Sequence, residues 1–336
     1  MCRVERFTKA IIGTGHHRIN IVSKLDVAIK LEATDTEYSH VEHEYQVYRN
    51  LVGGIGIPTV YWFGSECDYN VMVLEHLGPS LGNLFDRYHC KFTLLTVLLL
   101  VDQLVSVQDC FNRKVGTPLI PITQISCIEY VHSRHFIHSD IKPSNILMGV
   151  GNHDDQVYII NFSLAMRYRD LKNRLHILCQ TNCDITGTIS YALINNCRGI
   201  SPSHRDDLES ITYVLPFFMH GSLPWHGIEP AINKQRHDTI LQTKLNTPIK
   251  ILCSMCPIEF NVFLSYIHTL SFEDKPDYAY ICKLFHNVFI REGCHQGHPF
   301  AGYNSANKQN PTIRTGTKCS GLRAKECGAQ PTSGRM

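Results

Sequence analysis

His138-Ser139-Asp140-Ile141-Lys142-Pro143-Ser144-Asn145 is the stretch on which the fold turns, together with the apolar run 157–160 and the Asn161-Phe162-Ser163 behind it. An aspartate, a lysine two residues on and an asparagine five residues on place a base, a cation and a metal-ligating amide in one loop. Alone, such a string reads as a polar surface turn. Followed by a short buried strand and a second polar triplet, it becomes much more specific.

Upstream, Val27-Ala28-Ile29-Lys30 sets a lysine inside an apolar strand, where it must reach solvent or meet an anion. An edge-strand lysine is the plain alternative. Val41, Tyr45, Tyr48 and Leu51 have helical spacing, and Gly53, Gly54, Gly56 and Pro58 end that helix. Glu44 on this helix is a possible partner for Lys30. A further strand is expected over 71–74. From Gly78 onward the pattern is helical, over 93–106, 125–133, 206–219 and 257–270. The segment 107–124 interrupts this pattern with Gly116, Pro118 and Pro121. Prolines inside a buried helix cost about 3 kcal/mol each, so the segment is expected to loop out. Pro216 challenges a later helix in the same way.

Bulk properties narrow the classes. The chain has 336 residues, enough for two lobes sharing a cleft, and 43% of them are hydrophobic, enough for a sizeable core. A net charge of +2 does not point to nucleic acid as the main partner. No apolar run approaches the roughly 20 residues that span a bilayer, so no membrane is expected. Fourteen cysteines and a charged start imply a reducing, intracellular setting, cytoplasm and/or nucleus. Cys253-Ser254-Met255-Cys256 has half-zinc spacing, with Cys282, His286, Cys294 and His298 further on. One such pair without a second is a weak signal, and a core role fits these helical segments better.

The loop, the strand and the polar triplet resemble the eukaryotic protein kinases. The likeness narrows to the casein kinase 1 family through Leu77-Gly78-Pro79-Ser80-Leu81, Ala192-Leu193-Ile194-Asn195, Arg205-Asp206-Asp207-Leu208-Glu209-Ser210, Gly221-Ser222-Leu223-Pro224-Trp225 and Asp274-Lys275-Pro276-Asp277-Tyr278. It runs from about Ile12 to Gly293, apart from the insertion. The resemblance implies an α+β bilobal protein kinase fold, with a small β-rich lobe and hinge over 1–77 and a larger helical lobe over 78–293. Composition rich in Gly, Ser, Asn, Pro, Lys and Arg, with few apolar anchors, implies a disordered tail over 294–336. The resemblance further implies transfer of the ATP γ-phosphate to Ser or Thr of a protein substrate, with Mg2+ as cofactor and a monomeric state.

Residue roles follow from the resemblance. Lys30 would hold the α- and β-phosphates and pair with Glu44. Ala28 and Leu147 would sandwich the adenine, with Ile12 and Ile160 nearby and Leu74 at the back. The backbone of Glu75 and Leu77 would bond the adenine edge. Asp140 would accept the substrate hydroxyl's proton and Lys142 would steady the transferred group. Asn145 and Asn161 would ligate magnesium, and Asp207 would anchor the catalytic loop.

The departures matter as much. Asn161 stands where the family has the D-F-G aspartate, and Ser163 replaces the glycine beside it. Magnesium prefers carboxylate oxygen, so activity is expected to be impaired. Gly13-Thr14-Gly15 begins a glycine-rich turn that His16-His17-Arg18 truncates, so nucleotide binding is expected to weaken, with Arg18 a partial substitute. Ser139 and Ser190 each replace a family arginine, leaving Arg236 as a remnant of the anion site. Two alternatives accompany the impaired kinase: a pseudokinase that works as a binding module, and the product of a decaying gene copy.

Overall fold

The computed structural model describes residues 7–12, 15–20, 26–105, 126–170, 172–228, 233–294 and 298–300. A five-stranded antiparallel sheet forms the N-terminal part, in the order β1-β2-β3-β5-β4. Its strands are β1 (Phe7–Ile12), β2 (Gly15–Asn20), β3 (Asp26–Ala33), β4 (Val60–Glu66) and β5 (Tyr69–Glu75). Side chains alternate across the pleat. Val27 and Ile29 therefore join Val71 and Val73 in a small core on one face, while Ala28 and Lys30 look the other way. Ala28 pairs with Leu74, and Lys30 with Met72.

Helix α1 (His40–Asn50) crosses between β3 and β4. It begins where Ser39 Oγ accepts Glu42 N at 3.1 Å, the side-chain cap that satisfies an otherwise orphan amide. The Glu32 carboxylate at the far end of β3 takes Ser39 Oγ at 2.6 Å and His40 N at 3.0 Å, which ties helix to strand. Beyond α1, Gly56 is left-handed (φ +71°), and a Cβ there would lie 2.2 Å from Cys127 Sγ and 2.6 Å from Val157 O. Only glycine fits this close approach. The glycines expected to end α1 thus also dock its exit loop.

The C-terminal part is helical: α2 (Leu81–Arg87), α3 (Leu94–Val105), α4 (Cys127–Ser133), α5 (Ile194–Cys197), α6 (His204–His220), α7 (Asn233–Asn246), α8 (Ile249–Leu252), α9 (Ile258–Thr269) and α10 (Tyr278–Arg291). Two small ribbons, β6 (Phe136–Ile137) with β9 (Met166–Arg167) and β7 (Ile146–Met148) with β8 (Val157–Ile159), carry the loops facing the sheet. The core centres on α6, whose residues 206–219 are all buried. Phe217 and Phe218 pack on Phe85, and Tyr213 meets Trp225 edge-on at 5.1 Å. Helix α6 runs straight through Pro216. Burial on all sides outweighs the cost of one lost backbone bond.

The segment 107–124 lies outside the described residues, as do 301–336. The expected disordered tail starts differently than the composition implied. Phe300 is 3% exposed, 5.1 Å from the Phe92 ring and 5.5 Å from Tyr88, and Thr96 Oγ1 donates to Pro299 O at 3.1 Å. One aromatic anchor pins this stretch against α3. Among the described residues, no helix is long and apolar enough to cross a membrane.

Candidate active site

The polar residues singled out from sequence converge in the cleft between the sheet and the helical part. Lys30, on the inward face of β3, meets Glu44 of α1 at 2.5 Å. Glu44 is 2% exposed, and its other oxygen accepts the amide of Phe162 at 3.1 Å. The Lys30 ammonium also donates to Asn161 Oδ1 at 3.2 Å. An ammonium only donates, which fixes the amide oxygen of Asn161 toward it. Asn161 is left-handed (φ 68°, ψ 63°), a conformation that Asn adopts more readily than most residues. Its backbone N–H donates to Tyr48 Oη at 3.3 Å. Burial, then the charge of Glu44, holds the Tyr48 phenol well above its ordinary pKa.

Ser163 Oγ donates to Asn161 Oδ1 at 3.1 Å. Both acceptor directions of that oxygen are therefore taken, one by Lys30 and one by Ser163. The amide nitrogen, Asn161 Nδ2, donates to Asn145 Oδ1 at 3.4 Å. Asn145 cannot turn to relieve this, since its own Nδ2 donates to Asp140 O at 2.8 Å and Asp140 Oδ2 at 3.0 Å.

Asp140 is 6% exposed. Lys142 Nζ lies 2.7 Å from its Oδ2, while Thr188 gives Oδ1 both its backbone N–H and its hydroxyl, each at 2.9 Å. Lys142 also donates to Thr188 Oγ1 at 2.7 Å. Thr188 can come this close because Gly187 (φ +77°) passes Ser139 O, where a Cβ would stand 2.6 Å away. Under the loop, Asp207 takes the amides of His138 at 2.7 Å and Ser139 at 2.9 Å, and His132 Nε2 at 2.8 Å. Burial alone would raise the Asp207 carboxyl; the hydrogen bond from His132 and the charges around it outweigh this and hold it below the usual range. Ser139, at φ 66°, has its Oγ buried without a partner.

The remaining predicted residues lie on β1, β3, β5 and β7 or on the segments beside them. Ala28, Leu74, Leu147 and Ile160 are half-buried and Leu77 is buried. Glu75 ends β5, its N–H on Thr59 O at 2.8 Å. Ile160 takes His138 Nε2 on its carbonyl at 2.9 Å and gives its N–H to Asn145 O at 3.0 Å. Ile12 closes β1 opposite Gly15, so two residues, Gly13 and Thr14, connect the paired strands. They lie outside the described residues, as does the side chain of Arg18. Arg236 is exposed on α7. The sequence reading gave no role to His138, which braces the loop from Ile160 to Asp140 N, at 3.2 Å. It also missed Thr188 as a partner of Asp140. The loop motif directly signalled the first; nothing local signalled the second, 48 residues away.

A family model of the protein kinase domain matches residues 19–255, well over half of the chain. The chain belongs to the protein kinase domain family, and its small strand-rich lobe and larger helical lobe are that family's fold. Kinase domains in general use ATP with magnesium and act on protein substrates.

The donor set here does not fit magnesium as the family holds it. Two neutral amides stand where a carboxylate and an amide belong, one amide oxygen is filled by Lys30 and Ser163, and the two amides bond each other. Among the described residues, no three His, Cys, Asp or Glu side chains converge to hold a metal ion.

Proposed function

We propose that this chain is a casein kinase 1-like serine/threonine protein kinase domain that binds ATP but transfers its γ-phosphate poorly. Lys30, steadied by Glu44, receives the phosphates. Ala28, Leu147, Ile160, Leu74 and the turn Glu75–Leu77 enclose the base. Asp140 receives the substrate hydroxyl's proton and Lys142 meets the transferred group. Asn145 and Asn161 occupy the positions from which a metal would be held, but as neutral amides bonded to each other. The lobes divide near Leu77, and the chain works as a soluble monomer inside the cell.

One observation carries the impaired part of this reading. The Asn161 oxygen is saturated by Lys30 and Ser163, and its nitrogen closes on Asn145. Loss of one preorganised electrostatic partner costs about 3–4 kcal/mol, roughly a hundred- to a thousand-fold in rate. The same closed triad favours a second reading, a pseudokinase that uses its cleft for binding. The test is transfer of labelled phosphate from ATP to an acidic protein by the purified chain, with Asp140→Ala as the background. Turnover only slightly above that background is expected. Turnover at the roughly 1–100 s⁻¹ typical of kinases would refute the impairment.

A further inference from the structure

Outside the nucleotide cleft, a cavity of about 240 Å3 opens beneath the catalytic loop, between α4, the first residue of α6 and the turn before α10. His132, His135, Tyr168, Arg169, His204 and Lys275 line it. His204 is 1% exposed, and neither of its ring nitrogens has a hydrogen-bond partner. Arg169 Nε and His135 Nδ1 are likewise buried and unpartnered. Unpaired buried polar groups cost about 1–3 kcal/mol each, so several on one cavity call for a ligand.

The two other ring-bearing groups are already spent. His132 engages Asp207 through Nε2 and the Tyr278 hydroxyl through Nδ1, and Tyr168 donates its hydroxyl to His132 O at 2.7 Å. What remains turned toward the cavity is mostly nitrogen, with the Glu129 carboxyl on the same wall. The guanidinium N–H can only donate, and a neutral imidazole always offers one N–H. Charge has the same sense. Arg169 and Lys275 are fixed cations on the wall, and Arg134, Arg167 and Arg174 stand close enough to His135 to disfavour its protonation, after burial. Against them stands Glu129, whose Oε2 is buried without a partner and whose carboxyl burial pushes upward, the charge of Lys275 opposing. The volume is several times the roughly 30 Å3 share of one water. Cations on the wall disfavour a metal ion.

We propose that this cavity is a binding site for a compact tetrahedral oxyanion, a phosphate group, held by the charges of Arg169 and Lys275 and by N–H groups of His204 and His135. The ligand is free inorganic phosphate or the phosphoryl group of a phosphorylated protein side chain. The site is separate from the nucleotide cleft, and its wall includes His132, which holds Asp207 and through it the catalytic loop.

Calorimetric titration of inorganic phosphate into the full chain tests this, at ionic strength held constant with chloride. Saturable binding is expected, weakened at least about ten-fold, or 1.4 kcal/mol, by Arg169→Gln and by Lys275→Gln. Lys275 is exposed, so its variant keeps the fold if Arg169→Gln does not. Lys30→Met, which removes the cation of the nucleotide cleft, should leave this binding in place. A phosphoserine peptide that displaces phosphate identifies a protein-borne source, and one that does not identifies the free ion. Two results would overturn the proposal. One is no saturable binding of phosphate or sulfate up to about 10 mM, weaker than the −4.1 kcal/mol of a millimolar site. The other is binding abolished by Lys30→Met and untouched by Arg169→Gln and Lys275→Gln.

Discussion

Replacing Asn161 by aspartate should raise phosphotransfer and, in the same protein, cost the resting site its hydrogen bond to Asn145. The carboxylate would stand about where Oδ1 stands now, 3.2 Å from Lys30 Nζ, with its second oxygen facing Asn145 Oδ1, now 3.4 Å from Asn161 Nδ2. Restoring one preorganised electrostatic partner is the reverse of losing it. About 3–4 kcal/mol of transition-state stabilisation is therefore expected, a hundred- to a thousand-fold in rate. The resting cost has a specific origin. An ionised carboxylate cannot donate to Asn145, whose own nitrogen is committed to Asp140, so two oxygens confront each other and a hydrogen bond of about 1 kcal/mol is lost. Adding Ser163→Gly frees the acceptor direction that Ser163 Oγ now fills and should raise the rate again. The assay is single-turnover transfer from Mg-ATP to an acidic protein, beside a denaturant melt without metal. A rate within about two-fold of the parent, with ATP still bound, would show that position 161 does not limit the chemistry; about 0.4 kcal/mol is all such a change represents.

Three further outcomes follow from the packing. Asp207→Ala leaves the amides of His138 and Ser139 and the ring of His132 without their acceptor; a loss of about 3–5 kcal/mol is expected, and a change below about 1 kcal/mol in urea melts contradicts the anchoring role. Phe300→Ala should cost about 3 kcal/mol, although composition alone would place residue 300 in a dispensable tail, and a surface-like change within about 0.5 kcal/mol would show that it is one. Acid should weaken the fold. Burial pushes His204 down to about 2 and His226 down to about 4, so below about pH 6.5 the unfolded chain takes up protons that the folded chain refuses. Burial pushes Asp206 up to about 7, so between about pH 3.8 and 7 the folded chain holds a proton that the unfolded chain lacks, the opposite sign. Between them these three groups leave a loss of about 1.4 kcal/mol per pH unit on going from pH 6 toward 4.5. Urea melts across that range that hold or gain stability on acidification would overturn this.

Much of the scaffold was legible because apolar spacing and local punctuation agree. The strand at Val27–Leu31, the helix through Val41 and Tyr48, and the long core helices show the periodicity expected for their faces. Helix α7 escaped because few of its residues are buried, chiefly Ile240 and Lys244. Lys244 is a cation inside the fold, donating to Ile189 O and Ala192 O over the Tyr213 and Trp225 rings. Helix α10 carries a clean apolar stripe of Tyr278, Ile281, Cys282, Phe285, Val288 and Phe289, yet its cysteine and histidine drew attention as possible ligands. In the site, the substitutions at 161 and 163 were each visible as local departures. That Ser163 saturates Asn161 and that Asn161 locks onto Asn145 depends on geometry across 16 residues, and no spacing rule signals it. The cavity was less visible still. His135 and His204 lie 69 positions apart, and nineteen scattered histidines offer no reason to join these two.

The central claim is that this cleft takes nucleotide without a metal grip, and the magnesium dependence of nucleotide binding tests it most directly. Titration of the parent chain with ATP should give the same affinity in EDTA as in millimolar magnesium, within about three-fold, or 0.7 kcal/mol. An affinity at least about a hundred-fold higher with magnesium, or 2.7 kcal/mol, would mean that the two amides hold the ion after all.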